Sequence, residues 1–177
     1  MNRKTAMKLF GLLGLLMLLS CGYADRHRNS SLCEQALVDS LEVRVQDSLF
    51  SNVHYSRSQL LEALTQTQDS LVYYRLLALY GKTFFVSSDF DSILYYNRRV
   101  KEFSRNASQS SESLQSPRWN DVLSDVYNIE GNVWMQLNRP DSAIIDYKKA
   151  YGYRLEGKKL HLLPDICINI ADAYLHR

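Results

Sequence analysis

Residues 127–150 constrain the fold more than any other stretch, because their pattern predicts two helices joined by a tight turn. Ile129, Val133 and Leu137 recur every four residues, which gives the first helix an apolar stripe. Pro140 lacks a backbone N–H and is tolerated in the first turn of a helix but disfavoured further in. A second helix is therefore predicted to begin at Pro140.

Gly131 lies in the middle of the first predicted helix. A glycine inside a helix costs about 1 kcal/mol relative to alanine, so we expect a compensating close approach by another helix. The second helix offers a matching surface, since it carries small residues at Ala143 and Ala150 and a large one at Tyr147. Together with Trp134, this alternation of small and large residues predicts a tightly packed antiparallel helix pair.

This arrangement resembles the tetratricopeptide repeat (TPR) family, in which glycine and an aromatic residue on one helix are followed by alanine, aromatic and alanine on the next. The matching residues are Tyr127, Gly131, Trp134, Ala143, Tyr147 and Ala150. Glu130 replaces the usual leucine, and Leu155 replaces the usual late proline. The resemblance implies an all-α fold of antiparallel helix pairs stacked as a short right-handed solenoid. It also implies a concave face that binds a protein or peptide.

A second copy of the pattern lies fifty residues earlier, with Gly81 at the position of Gly131 and Phe84 at that of Trp134. Ile93 and Asn97 are departures, because the family pattern has alanine and an aromatic residue there. The pattern returns forty residues after Gly131, with Ala171 in the small position and Tyr174 in the aromatic one.

We therefore predict TPR-like repeats over 69–177, composed of full repeats at 69–104 and 118–155 and the first helix of an incomplete one at 160–177. Residues 32–68 are predicted to form a degenerate helical pair. Pro117, Pro140 and Pro164 all fall at predicted helix starts, which agrees with the all-helical interpretation. The last predicted helix, near Arg177, has two interpretations. It is either a final cap of the repeats, or this chain is the front of a longer protein.

Residues 1–20 have the features of an export signal in the usual order. The basic residues Arg3, Lys4 and Lys8 come before an apolar run that is too short for a comfortable membrane span. The run ends at Cys21 and resembles a bacterial lipobox, in which the cysteine is acylated; an ordinary secretory signal is the alternative. Residues 21–31 are predicted to be a polar tether. No acidic run follows Cys21, unlike in some surface-exported Bacteroidota lipoproteins. We therefore expect a lipid-anchored, periplasm-facing protein of the cell envelope.

Charge and cysteine content argue against a nucleic-acid-binding protein and against a disulfide-linked one. Removal of residues 1–20 would take the formal net charge from +2 to −1, so the mature chain gives no charge argument for nucleic-acid binding. Cys33 and Cys167 are predicted to be buried free thiols rather than a disulfide.

No catalytic, metal-binding or cofactor pattern occurs in the sequence. The four histidines are isolated, and no glycine-rich phosphate loop or nucleophile elbow is present. We expect a protein that is not an enzyme and that needs no cofactor or metal.

The leading functional hypothesis is a TPR-like lipoprotein that binds a protein or peptide partner. The alternative is the extracytoplasmic sensor end of a signalling protein, since the chain also resembles the front of Bacteroidota sensor histidine kinases or helix-turn-helix regulators. The family resemblance places the partner-binding face on the first helix of each repeat. The exposed polar candidates there are Arg75, Lys82, Asn128, Asn132, Asn169 and Asp172.

Overall fold

The computed structural model describes residues 34–45, 47, 51–107 and 116–177, and over these ranges the chain is helical with no β-strand. Helix α1 covers 34–45. The other helices are α2 (Val53–Gln66), α3 (Ser70–Lys82), α4 (Phe90–Ala107), α5 (Pro117–Gln136), α6 (Pro140–Leu155) and α7 (Leu163–Leu175). Short 3-10 turns cover Thr83–Ser87 and Leu160–Leu162. The export signal, the tether, Cys21 and Cys33 lie outside the described residues.

The helices begin where the local sequence supplies the groups that a helix start needs. Asn52, Asp69 and Ser116 each accept a hydrogen bond from an N–H of the first turn that follows them. Pro117 and Pro140 are the first residues of α5 and α6, where the missing N–H has no intrahelical partner to lose. The predicted helix starts at these two prolines are therefore confirmed.

The turns after α3 and α5 repeat one backbone geometry at an offset of fifty residues. Ser88 and Asn138 both adopt a left-handed conformation, with φ of 52° and 56°. The amide of Asp89 donates to the carbonyl of Phe84 at 3.2 Å, and the equivalent amide of Arg139 donates to Trp134 at 2.8 Å. The helix pairs α3–α4 and α5–α6 thus share a turn as well as a sequence pattern.

Contacts between α5 and α6 show that the two helices are antiparallel. Near the start of α5, the Ser124 hydroxyl donates to the carbonyl of Ala150 at 2.8 Å. Near its end, the Trp134 indole N–H donates to the Asp146 carboxylate at 2.8 Å. The later residue of α5 therefore pairs with the earlier residue of α6.

Gly131 inside α5 and Gly81 at the end of α3 both lie where another helix approaches closely, as was predicted for Gly131. A Cβ built on Gly131 would lie within 3.0 Å of three atoms of the Tyr147 ring. A Cβ on Gly81 would lie 2.9 Å from the Cβ of Tyr96. Ala143, Tyr147 and Ala150 are all buried, and Phe84 and Trp134 are half-buried.

The apolar core is divided among three groups of helices. Helices α1, α2 and α3 share one cluster, which includes Val38, Leu60 and Leu76. Helices α3, α4 and α5 share a second, around Trp119 and Val100. Helices α6 and α7 share a third, against which Trp134 and Met135 of α5 pack. Each helix is therefore held by its neighbours in the chain.

The predicted inward register of α7 is wrong. Ala171 and Tyr174 were placed in the repeat core, but both are exposed, and Tyr174 retains 46% of its accessible surface. Helix α7 instead packs through Ile166 and Ala173, which are 2% and 0% exposed. Two further predictions also fail. Leu137 is 43% exposed rather than part of the stripe, and Cys167 is an exposed thiol rather than a buried one.

Candidate binding cavity

A cavity of about 390 Å³ opens between α1, α3, α5 and the connection from α6 to α7. Its volume falls within the range of roughly 300–1,000 Å³ that is usual for ligand pockets. Side chains spaced three or four residues apart on α3 form one wall, because such residues share a helix face. These are Arg75, Ala78, Leu79 and Lys82.

The remaining walls combine an apolar surface with a charged margin. Val122, Val126 and Ile129 of α5 provide the apolar side, together with Val43 of α1 and Leu162 of the connection. The charged lining residues are Asp39, Glu42, Arg118, Asp121, Asp125, Lys158 and Lys159, with His161 beside them.

Helix α1 closes one side of the cavity through ion pairs that reach three other elements. Asp39 accepts from Arg75 of α3 at 2.7 Å and lies 3.4 Å from Arg118 of α5. Glu42 pairs with Lys159 of the α6–α7 connection and lies 3.8 Å from Arg75. The apolar side of α1 is anchored in the core, so its polar side is held across the cavity.

Asp121 fixes the α6–α7 connection against α5. Its carboxylate, 4% exposed, accepts from the Arg154 guanidinium at 2.7 Å and from the main-chain N–H groups of Lys158 and Lys159 at 3.0 and 3.1 Å. A Cβ on Gly157 would overlap this carboxylate. Asp121 therefore determines where the two lysines lie.

Two lining side chains each contain one buried polar atom without a hydrogen-bond partner among the described residues. These atoms are Nη1 of Arg75 and Oδ1 of Asn97. Arg75 is 7% exposed and Asn97 is fully buried. The Asn97 amide donates to the carbonyl of Val126 at 3.2 Å, which leaves its oxygen unused. An unpaired buried polar group costs about 1–3 kcal/mol, so Arg75 and Asn97 each hold one unsatisfied polar atom inside the fold.

The structure separates the residues predicted to bind a partner. Arg75 and Lys82 line the cavity, but Arg75 is buried and ion-paired, so its predicted exposure is wrong. Asn128 accepts from the Asn169 amide at 3.1 Å. Asp172 is exposed, with its side chain 3.5 Å from His176.

Asn132 also differs from the prediction of a free surface amide. Its oxygen accepts from the Tyr147 hydroxyl at 2.7 Å, and the residue is only partly exposed. The Asn128–Asn169 pair and Asn132 lie outside the cavity lining. The polar atoms that these amides use inside the chain are therefore not free for a partner.

Sequence reasoning missed Asn97, Arg118, Asp121 and Lys158 as lining residues. Asn97 was visible as a departure from the repeat pattern, which was the one available signal. The others depend on contacts with α1 or with the α6–α7 connection, and no local spacing in the sequence encodes those contacts.

A further buried carboxylate lies outside the cavity lining, at the position where the repeat pattern has leucine. Glu130 is 4% exposed, and both its oxygens lie 2.7 Å from the Lys101 ammonium. Burial raises the pKa of Glu130 above its usual range, although the Lys101 charge acts in the opposite direction. This pair joins α4 to α5.

Across the described part of the chain, no helix is long and apolar enough to cross a membrane. Within the same ranges, no group of three or more His, Cys, Asp and Glu side chains is arranged to hold a metal ion. Comparison of the chain with protein-family models, with curated proteins and with solved structures found no match.

Proposed function

We propose that this chain is a non-catalytic, TPR-like helical-repeat module that binds a segment of a protein partner in the cavity between α1, α3 and α5. The arrangement suits a solenoid of antiparallel helix pairs, since α3–α4 and α5–α6 share sequence pattern, turn geometry and close glycine contacts. Stacked helix pairs present extended surfaces that bind extended partners.

The cavity is the observation that carries this proposal. It combines an apolar wall, which includes Ala78 and Val126, with charged and polar side chains at its margin. A peptide has both kinds of group, because apolar side chains alternate with main-chain donors and acceptors. The cavity volume suits one or two side chains rather than a folded domain.

Selection from a random peptide library on the immobilised full chain tests the proposal. We expect enriched peptides to bind wild type and to lose binding to Ala78→Phe, which fills the cavity from α3. Gly152→Phe is the matched control, because a Cβ on Gly152 meets nothing within 4 Å. Failure to enrich any peptide, or equal binding to Ala78→Phe, would contradict the proposal.

We also propose that the chain is held at a membrane of the cell envelope through acylation of Cys21, facing the periplasm. The support is the order of basic front, apolar run and cysteine in residues 1–21. Metabolic labelling with a clickable fatty acid should modify wild type and not Cys21→Ser. Equal labelling of wild type and Cys21→Ser would contradict the proposed lipid anchor at Cys21.

A further inference from the structure

We propose that a second copy of this chain covers the outer face of α7, so that two copies associate through antiparallel α7 helices centred on Ala171. The inference does not depend on the proposed peptide binding, because it concerns a different surface. It follows from three observations on α7: a second apolar stripe, the equivalence of that stripe with a covered face of α5, and the charges at its two ends.

Helix α7 carries apolar residues on the side opposite to its buried one. Ile166 and Ala173, which face the core, are 2% and 0% exposed. On the opposite side, exposed residues recur at spacings of three, four and seven, which define a single helical face. These are Pro164, Cys167, Ile168, Ala171 and Leu175. Ile168 and Leu175 keep 65% and 85% of their accessible surface, so this outer stripe is a continuous apolar surface that nothing in the described chain covers.

The outer stripe corresponds to a face of α5 that is covered by another helix. At an offset of forty residues, Ala171 occupies the position of Gly131 and Pro164 that of Ser124. In α5 these positions receive α6, because Gly131 lies against the Tyr147 ring and Ser124 donates to the carbonyl of Ala150. The outer stripe therefore has the form of a surface that receives one antiparallel helix.

Charges at the ends of the stripe favour a second α7 as that helix. Asp165 lies at its start, and His176 lies eleven residues later, which is three turns, so both flank the stripe on the same side. Arg177 follows His176. In an antiparallel pair, Asp165 of each copy comes opposite His176 and Arg177 of the other, whereas a parallel pair brings like charges together. His176 and Arg177 also lie 3.5 and 2.8 Å from carboxylates of their own chain, but these pairs are exposed and weak.

The same pairing places small and large side chains in complementary positions. Ala171 lies nearly midway between Asp165 and His176, so the two copies of Ala171 meet at the centre, where small side chains allow a close approach of the helices. Ile168 of one copy then lies beside Leu175 of the other, on both sides of the centre. The contact is isologous, since each copy contributes the same face.

The size of the stripe predicts a weak dimer. A contact between two single helix faces lies at the small end of protein interfaces, below about 1,200 Å², so we expect a dissociation constant in the micromolar range. Cys167 lies in the outer stripe and would be covered only in the dimer, so its full exposure is a property of the dilute monomer.

Sedimentation velocity of the full chain from about 1 to 300 μM tests the association. The test variant is Ile168→Glu, and the matched control is Leu61→Glu, which places the same charge at an exposed aliphatic residue of α2. We expect the dissociation constant to rise at least about tenfold in Ile168→Glu and to stay unchanged in Leu61→Glu. Residues 1–33 are the same in every variant, so any association through them appears equally in all. Circular dichroism checks that both variants fold.

Disulfide cross-linking with diamide tests the antiparallel geometry. Both chains carry Cys21→Ser and Cys33→Ser. One keeps the native Cys167, and the other moves the thiol to the centre through Cys167→Ser with Ala171→Cys. At 1.5 Å per residue, the two copies of position 167 lie about 12 Å apart along the antiparallel helices, which is too far for a disulfide. We expect a disulfide-linked dimer from the thiol at position 171 and little from Cys167.

Each outcome supports or overturns the proposal. A dimer that Ile168→Glu alone weakens, with cross-linking at position 171 rather than 167, supports it. A wild-type chain that stays monomeric at every concentration overturns it and leaves the stripe to a helix of another protein. Equal weakening by Leu61→Glu, or no weakening by Ile168→Glu, also overturns it. Cross-linking that is as efficient at position 167 as at 171 overturns the antiparallel pairing. If Ile168→Glu does not fold, the cross-linking comparison decides.

Discussion

Replacement of Gly131 by alanine probes the close contact between α5 and α6. A Cβ there would lie within 3.0 Å of Cδ1, Cε1 and Cζ of Tyr147. That ring is 2% exposed, and its hydroxyl is fixed by the 2.7 Å hydrogen bond to Asn132. The ring has no free direction in which to move, so the helices must separate or the hydrogen bond must break.

The magnitude follows from three opposing contributions. Overpacking costs about 1–3 kcal/mol, and loss of the Tyr147–Asn132 hydrogen bond adds about 0.5–1.5 kcal/mol. Alanine returns about 1 kcal/mol through its better helix propensity. We therefore expect Gly131→Ala to lower the free energy of unfolding by about 0.5–3.5 kcal/mol. At about 2–4 °C per kcal/mol for a chain of this size, the melting temperature falls by roughly 1–14 °C.

Circular dichroism melting and urea denaturation of the full chain measure this change. Gly152→Ala is the control, because it makes the same substitution where a Cβ meets nothing within 4 Å, so it should stabilise by up to about 1 kcal/mol. In a Tyr147→Leu background, Gly131→Ala should become neutral or stabilising, since the obstructing ring is gone. A melting temperature for Gly131→Ala at or above wild type would refute the reasoning, as would an equal loss in both backgrounds.

Three further predictions concern buried and exposed polar groups. Arg154→Met should lower the free energy of unfolding by about 3–5 kcal/mol in urea denaturation, because it leaves the Asp121 carboxylate buried without its guanidinium; a loss below 1 kcal/mol would contradict this. The raised pKa of Glu130 means that the folded state holds that proton more tightly than the unfolded state. Wild-type stability relative to Glu130→Gln should therefore fall as pH rises above 4.5 and level off above the raised pKa; a flat difference would contradict this. Cys167 should react with a thiol reagent in the folded chain as fast as in urea, and protection would place it in a contact that the structure does not contain.

The helix pairs were predictable from sequence because their determinants are local. Pro140 and the small–aromatic pattern lie within twenty-odd residues of one another, and periodicity converts such spacing directly into a shared face. The close packing at Gly131 followed from the same pattern, since a mid-helix glycine is costly without a packing reason. The prediction of an all-helical chain is confirmed over the described residues for the same cause.

The cavity was not predictable, because its closure depends on contacts between residues far apart in the chain. Arg118 donates to Gln35 across 83 residues, and Lys159 pairs with Glu42 across 117. Helix α1 carries no repeat signature, so nothing in its sequence states which elements its polar side contacts. Arg75 was therefore expected at the surface, whereas in the structure α1 covers it.

The predicted register of α7 is wrong for a different reason. Spacing of forty residues placed Ala171 where Gly131 lies, but spacing alone does not say which neighbour a helix packs against. Helix α7 packs against α6 through Ala173, with Ile166 also buried, whereas Ile168, Tyr174 and Leu175 are exposed. A small residue is buried only where a second surface is present to cover it.

The cavity itself arises from a departure from the repeat pattern rather than from a match. At an offset of fifty, Asn97 occupies the position of Tyr147, and Lys82 that of Asn132. Tyr147 fills the space beside its glycine and reaches Asn132, whereas the shorter Asn97 side chain donates to the Val126 carbonyl. The same hairpin geometry with a smaller residue leaves room beside Lys82, and α1 then encloses that room. One change at a core position therefore accounts for the room beside Lys82, in a cavity that α3 and α5 line together.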